Sequence, residues 1–290
     1  VTDDIKNIQF GSIYVEGKGT AIMQLSNNFG STCENITIDS LICLKTNSDD
    51  ATSRFSLAIN GFNNVKINGS VRENITILST NTTGVIMNDC DNVYLDLDIQ
   101  NVTIGYRLGT SNNINNVRLK GTVKNILGKG LDIIFTSNCV FEQLKVEECA
   151  VGGGNNSNIH FDSGGTTTNL LIVDSSSNKI TTGFNAVFQA GTVDMRCVNF
   201  EQRGWPGLNF TFGQNAMTIK REHCYPLQYQ STTPSAALYW NVGEFVENVT
   251  PTVLGTGGSQ YTILGWERLT NGVANVLNTD WVEVRVLTGT

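Results

Sequence analysis

The chain is poor in the features that mark many function classes, and each scarcity narrows the field. No apolar run reaches the length of a membrane span, so membrane insertion is not expected. Charged residues make up only 16% of the chain, the formal charge is −7 and the basic residues are dispersed, which excludes nucleic acid and anionic membrane surfaces as expected partners. Seven cysteines show neither a CxxC pair nor Cys/His metal spacing, so no metal site and no other cofactor is expected. There are only two histidines, and His223 lies outside the repeats described below, which argues against a Ser/His/Asp nucleophile set. The run Gly152-Gly153-Gly154 is followed by no lysine and so is no phosphate loop. No stretch carries the apolar period of a helix.

What is present is repetition. Gly130-Leu131-Asp132-Ile133-Ile134-Phe135 alternates apolar with variable positions, as a half-buried strand does, and similar stretches open at Gly84, Gly105, Asn158, Gly183 and Gly207. Their first residues are separated by 21, 25, 28, 25 and 24 positions. A second ladder has Asn or Asp leading a short strand at Asn7, Asn35, Asn64, Asn92, Asn116, Asn138, Asn169 and Asp194. Two short strands per repeat, joined by turns rich in Gly, Asn, Ser and Thr, predict an all-β chain: a right-handed parallel β-helix of about eight coils over residues 1–213. Residues 214–235 read as transition and linker, ending in Ser231-Thr232-Thr233-Pro234-Ser235, and 236–290 as a small β module. Cys33, Cys90 and Cys139 adjoin the ladder asparagines and read as buried free thiols, which fits assembly in a reducing cytosol. The start, Val1-Thr2-Asp3-Asp4, has neither initiator Met nor signal peptide, so a processed or excised piece is expected.

The candidate chemistry lies on the outward positions of the Gly-led strands. In register these make one row of Ile86, Arg107, Asp132, His160, Asn185 and Asn209, and a second of Asn88, Gly109, Ile134, Asp162, Val187 and Thr211. Coils lie about 4.8 Å apart and positions i and i+2 about 6.7 Å apart, which puts Asp132 and Asp162 roughly 8 Å apart between Cα atoms. Two carboxylates about 6.5–9.5 Å apart suit an inverting glycosidase, one as general acid and the other activating water. His160 is placed to bind a hydroxyl or take a proton, and Arg107, Asn185 and Asn209 to hold sugar hydroxyls or a uronate carboxylate. The alternative is a solvated face on which Arg107 and Asp132 form a cross-strand salt bridge. A second acidic cluster, Glu201 beside Trp205 with Glu147-Glu148 two coils earlier, competes as a catalytic acid and an aromatic sugar platform, although Trp205 could equally cap the core.

The end of the chain carries a resemblance. Ala237-Leu238-Tyr239-Trp240-Asn241-Val242-Gly243-Glu244, Gly265-Trp266-Glu267-Arg268-Leu269-Thr270-Asn271-Gly272 and Val276-Leu277-Asn278-Thr279-Asp280-Trp281-Val282-Glu283 resemble the terminal module of bacteriophage tailspikes that degrade bacterial surface polysaccharides. The preceding repeats are similar to the pectate-lyase-like β-helix of those spikes. The resemblance implies a homotrimer in a virion tail, assembled in the host cytoplasm, that cuts a capsular or O-antigen polysaccharide in endo fashion. Hydrolysis through Asp132 and Asp162 is the leading expectation. The rivals are a lyase with His160 as base and Arg107 neutralising a uronate, and a spike shaft that binds glycan without cutting it.

Overall fold

The fold is given by a computed structural model that describes residues 5–17, 21–26, 33–45, 54–73, 82–149, 157–179, 184–188, 192–204, 217–222, 228–229, 240, 242–248, 250–272 and 274–289. These residues form strands and turns, with no helix among them. Up to Glu222 all the strand pairings are parallel, which makes a β-helix. Within this one 18-stranded sheet the described strands stack in three ladders, the first, second and third sheets of the solenoid.

The first sheet stacks Ala21–Ser26, Arg54–Asn60, Thr82–Asn88, Ile104–Leu108, residues 129–133, residues 157–161 and Phe184–Phe188 in a continuous ladder. This ladder is seven strands deep, against the eight coils expected, and the Gly207 stretch falls outside the described residues. The second sheet stacks the Asn-led strands, from Ile5–Gly17 through Cys33–Lys45, Asn63–Glu73 and Asp91–Gln100 to Arg118–Lys124 and beyond. After a bend, the same strands continue into the third sheet. One strand, Ser157–Val173, runs from the first sheet into the second.

The two ladders legible in the sequence have different physical causes. Asn7, Asn35, Asn64, Asn92, Asn116, Asn138 and Asn169 all adopt positive φ, between 51° and 61°, which asparagine tolerates because its short amide bonds locally. The amides also stack from coil to coil: Asn35 donates to Asn7 Oδ1 at 2.8 Å, and Asn169 to Asn138 Oδ1 at 2.8 Å. The glycines answer to crowding. A Cβ on Gly105 would lie 2.4 Å from the Gly130 carbonyl oxygen, and one on Gly130 would lie 2.5 Å from that of Asn158. The chain enters the first sheet where the next coil leaves no room for a side chain.

Inward positions stack in apolar columns such as Leu57, Val85, Tyr106, Leu131 and Ile159, all fully or almost fully buried. Cys43, Cys90, Cys139, Cys149 and Cys197 are buried free thiols, as the sequence predicts.

The last described solenoid strand, Met217–Glu222, pairs with Thr192–Val198, so the ladder runs past Gly213. A separate small sheet follows, centred on Gln260–Arg268, with Trp281–Gly289 along one side and Phe245–Asn248 and Val253–Leu254 along the other, all antiparallel. Gln228–Tyr229 joins it in parallel. Trp240, Trp266 and Trp281 form its core, with the Trp240 and Trp281 rings edge to face at 4.9 Å. Arg268 lies over Trp281 at 5.1 Å and donates to the carbonyls of Thr270, Gly272 and Ala274, which satisfies a buried guanidinium.

Candidate active site

Arg107, Asp132 and His160 do stand in one row of the first sheet, because Arg107 pairs with Asp132 and Asp132 with His160 in the parallel register. Leu131, Ile133, Ile159 and Phe161 point into the core, so their alternate neighbours Asp132 and His160 belong to the opposite face. That face is not the open surface anticipated: Asp132 and His160 are each 1% exposed. A carboxylate and an imidazole shut from water require partners, and they find them in each other and in two cations.

Asp132 is the hub. Its Oδ2 accepts from Arg107 Nε at 3.0 Å, while Oδ1 faces Lys129 Nζ at 2.8 Å and His160 Nδ1 at 2.8 Å. Burial pushes its carboxyl up, but the His160 hydrogen bond, the Lys129 ammonium and the Arg107 guanidinium outweigh it and hold the group well below the usual carboxylate range. Asp132 is therefore an anion at neutral pH, which corrects the expectation that it could serve as the protonated acid of a hydrolase. An ionised acceptor at Nδ1 makes that nitrogen a hydrogen-bond donor and sets the orientation of the ring. Nε2 is buried and has no hydrogen-bond partner among the described residues.

Asp162 joins from the strand after His160. The register slips here: Ile133 pairs with Phe161 and Phe135 with Thr166, so residues 162–165 bulge opposite Ile134 alone. The bulge re-aims Asp162, and ligand atoms of Asp132, His160 and Asp162 all come within 4.8 Å of one another. Between carboxylate oxygens this is closer than an inverting pair requires. The three could in principle hold a cation. Both Asp132 oxygens are already engaged, however, and Arg107 and Lys129 supply two positive charges against two carboxylates, so a divalent ion would meet repulsion and a crowded ligand.

The remaining candidates do not assemble here. His160 pairs with Val187, so Asn185 falls outside the row assigned to it. Glu201 pairs with Ser176, and Glu147 with Asn178, on the third sheet and not beside Asp132. Asn209, Trp205 and the Gly152–Gly154 run lie outside the described residues. Sequence reasoning missed Lys129. The signal was available, since Gly130 alone among the six stretches follows a charged residue.

Fold and site together define a parallel β-helix that holds an Asp–His pair clamped by two cations on its first sheet. No protein-family model matches the chain, and no curated protein does. Among solved structures, it is similar to an alginate lyase from Paenibacillus sp. str. FPU-7, at 12% identity and a TM-score of 0.31, over 73% of this chain and 91% of that one. It is also similar to the full-length tailspike protein 2 from Escherichia coli O157:H7 bacteriophage CAB120, at 14% identity and a TM-score of 0.33, over 92% of this chain and 49% of that one. For the enzymatically active domain of bacteriophage CBA120 tailspike protein 2 the identity is 13% and the TM-score 0.29, over 96% of this chain and 66% of that one. This chain thus spans about half of the full-length tailspike. Likeness this loose transfers no activity, and function rests on the residues themselves.

Proposed function

We propose that this protein is a polysaccharide depolymerase of the tailspike type, acting at the bacterial surface from a virion tail, with Asp132 and His160 as its acid–base centre. The observation that carries the reading is His160 Nε2, a buried nitrogen without a hydrogen-bond partner among the described residues, on an imidazole whose other nitrogen is held by an ionised carboxylate. Leaving a buried polar atom unpaired costs about 1–3 kcal/mol, a cost that a group awaiting a proton would explain.

This arrangement favours β-elimination on a uronate-containing glycan. His160 Nε2 takes the proton α to the uronate carboxyl, the electron pair forms the new double bond, and the glycosidic C–O bond breaks as the departing oxygen takes a proton from solvent. Arg107 and Lys129 supply the positive charge that stabilises the intermediate carbanion. Their side chains are 31% and 19% exposed, so an approaching glycan meets them first, and uncovering the imidazole requires a rearrangement of this face. Hydrolysis is the second reading: the approach of Asp162 to the pair is too close for an inverting arrangement and nearer the spacing of a retaining one. Assembly as a homotrimer is consistent with the exposed apolar side chains of the small sheet, Leu264, Val286 and Leu287 among them.

The test is incubation of the purified protein with capsular polysaccharides from a panel of strains, following chain length and ultraviolet absorbance, with His160→Asn and Asp162→Asn alongside. Shortening with new absorbance, lost in His160→Asn, is the expected result. Shortening with reducing ends but no absorbance, lost in Asp162→Asn, would make the enzyme a hydrolase. Polymer left intact across the panel would overturn the catalytic reading in favour of a glycan-binding spike.

A further inference from the structure

The bend between the second and third sheets changes partway along the solenoid. One residue, Lys120, stands between Leu119 and Gly121, whereas two residues, Glu142 and Gln143, stand between their partners Phe141 and Leu144. The following coil keeps the wider corner, since Glu142 pairs with Val173 and Lys145 with Ser176, with two residues between in each strand. The upstream coil keeps the narrow one, in which Asp96, Leu97 and Asp98 pair directly with Lys120, Gly121 and Thr122.

Two different backbones make these corners. Gly121 turns the narrow one with φ of 106°, and a Cβ there would lie 2.3 Å from the Leu97 carbonyl oxygen. The wide ones turn at Gln143, Asp174 and Asn199, with φ of 49°, 49° and 50°. Asn and Asp tolerate that region, but Gln lacks their short bonding reach and adopts it at a cost. The step from narrow to wide leaves a cavity of about 650 Å³ that opens on the corner, within the size range of small-ligand sites.

We propose that this notch is a second glycan-binding site, for a sugar unit that carries a carboxylate; its ligand class rests on the depolymerase reading above. It is lined by two basic residues, Lys120 and Lys145, and by the hydroxyl- and amide-bearing Thr122, Ser176, Gln143 and Asn199. Lys120 makes only a 4.0 Å ion pair with Asp96, and Lys145 makes no ion pair among the described residues. The acid in the wall, Asp174, already accepts from Asn199 Nδ2 at 2.9 Å. Among the described residues no aromatic side chain lines the notch to offer a neutral sugar a stacking platform, while hydroxyl- and amide-bearing residues beside two lysines match an acidic sugar. The floor is fixed in advance: the Ser175 hydroxyl accepts from Leu144 N at 3.1 Å and lies 2.8 Å and 3.3 Å from the carbonyls of Val173 and Phe141.

The notch belongs to the corner of sheets two and three, and Asp132 to sheet one. A long polymer held at the first would be presented repeatedly to the second, raising its effective concentration there, while a short oligomer would gain nothing. Lysine-dominated recognition of this kind weakens as salt is added.

The experiment uses the full chain with its lysines tagged by isotope-labelled methyl groups, and reads their resonances on titration with tetragalacturonate or with neutral maltotetraose. Lys120 and Lys145 signals should shift with the acidic oligomer and not with the neutral one. The double variant Lys120→Gln/Lys145→Gln should bind acidic polymer about tenfold more weakly while cleaving short oligomers at the parental rate. Absence of shifts at both lysines, equal shifts with maltotetraose, or unchanged polymer affinity in the double variant would overturn the proposal. His160→Asn separates the two readings, because it should stop cleavage and leave the lysine shifts intact. Lysine shifts in a protein that cleaves nothing would retain the notch and remove the depolymerase.

Discussion

His160 Nδ1 lies 2.8 Å from Asp132 Oδ1, across one rung of a parallel ladder, with both side chains buried on the face of the sheet opposite the core. The pair exists because successive coils place residue n of one strand beside residue n of the next. It persists out of water because Arg107 and Lys129 supply the charge that water would otherwise screen.

Asp132→Asn should therefore destabilise the protein more than it changes any surface property. It leaves Arg107 and Lys129, both partly exposed, beside a neutral amide and removes the acceptor of the buried His160, at an expected cost of about 1–3 kcal/mol. Equilibrium unfolding in urea checks this, and a loss below about 1 kcal/mol would mean that the cations find other partners.

The same carboxylate makes stability depend on pH with a definite sign. Its folded pKa is depressed below the unfolded value of 3.8, so it contributes fully above that value and the contribution fades as the pH falls below it. Thermal melting followed below about pH 4 should show this loss, and Asp132→Asn should flatten that part of the curve.

At the Asn corner, Asn138 combines a φ of 52° with two amide bonds, donating to Asn115 Oδ1 at 2.9 Å and accepting from Asn169 at 2.8 Å. Asn138→Gly keeps the backbone and loses the bonds, whereas Asn138→Ala loses both. Alanine should cost more than glycine by about 1 kcal/mol, read as the difference in unfolding free energy.

Gly105→Ala should cost about 1–3 kcal/mol, because its Cβ would meet the Gly130 carbonyl at 2.4 Å and Val123 at 2.6 Å. Gly257→Ala, where a Cβ meets nothing within 4 Å, is the matched control and should change the melting temperature little. Equal effects would refute the crowding account of the glycine ladder.

Burial pushes the Cys139 thiol up to about 11, against weaker opposing contacts with the Val117 and Ser137 backbone, and burial likewise raises Cys90. Both should resist alkylation in the native state at pH about 8 and react once the chain is unfolded, as peptide mapping would reveal. Rapid native labelling would place them at the surface.

The ladders could be read without a structure because each rung answers to a local requirement repeated every coil. Asparagine recurs where the backbone turns left-handed, glycine where the next coil crowds the chain, and apolar residues where a strand faces inward. The juxtaposition of Arg107, Asp132 and His160 followed from the same periodicity, since the register within these coils slips little before Ile133. Three things did not follow from it. The bulge after Phe161 brings Asp162 close to Asp132 and His160, the mismatch of register at Val187 removes Asn185 from the row, and Asp132 and His160 are buried where alternation alone would call them exposed. Alternation assigns a side chain to one face of a sheet and is silent on what lies above that face. Repeat spacing sets which coil a residue belongs to, but a single inserted residue shifts every later neighbour. The sequence by itself thus determined the solenoid, its turns and the members of the charged row. Tertiary structure decided the protonation state of Asp132, the closure of the site and the notch beside Gly121, because each depends on how one coil packs against the next.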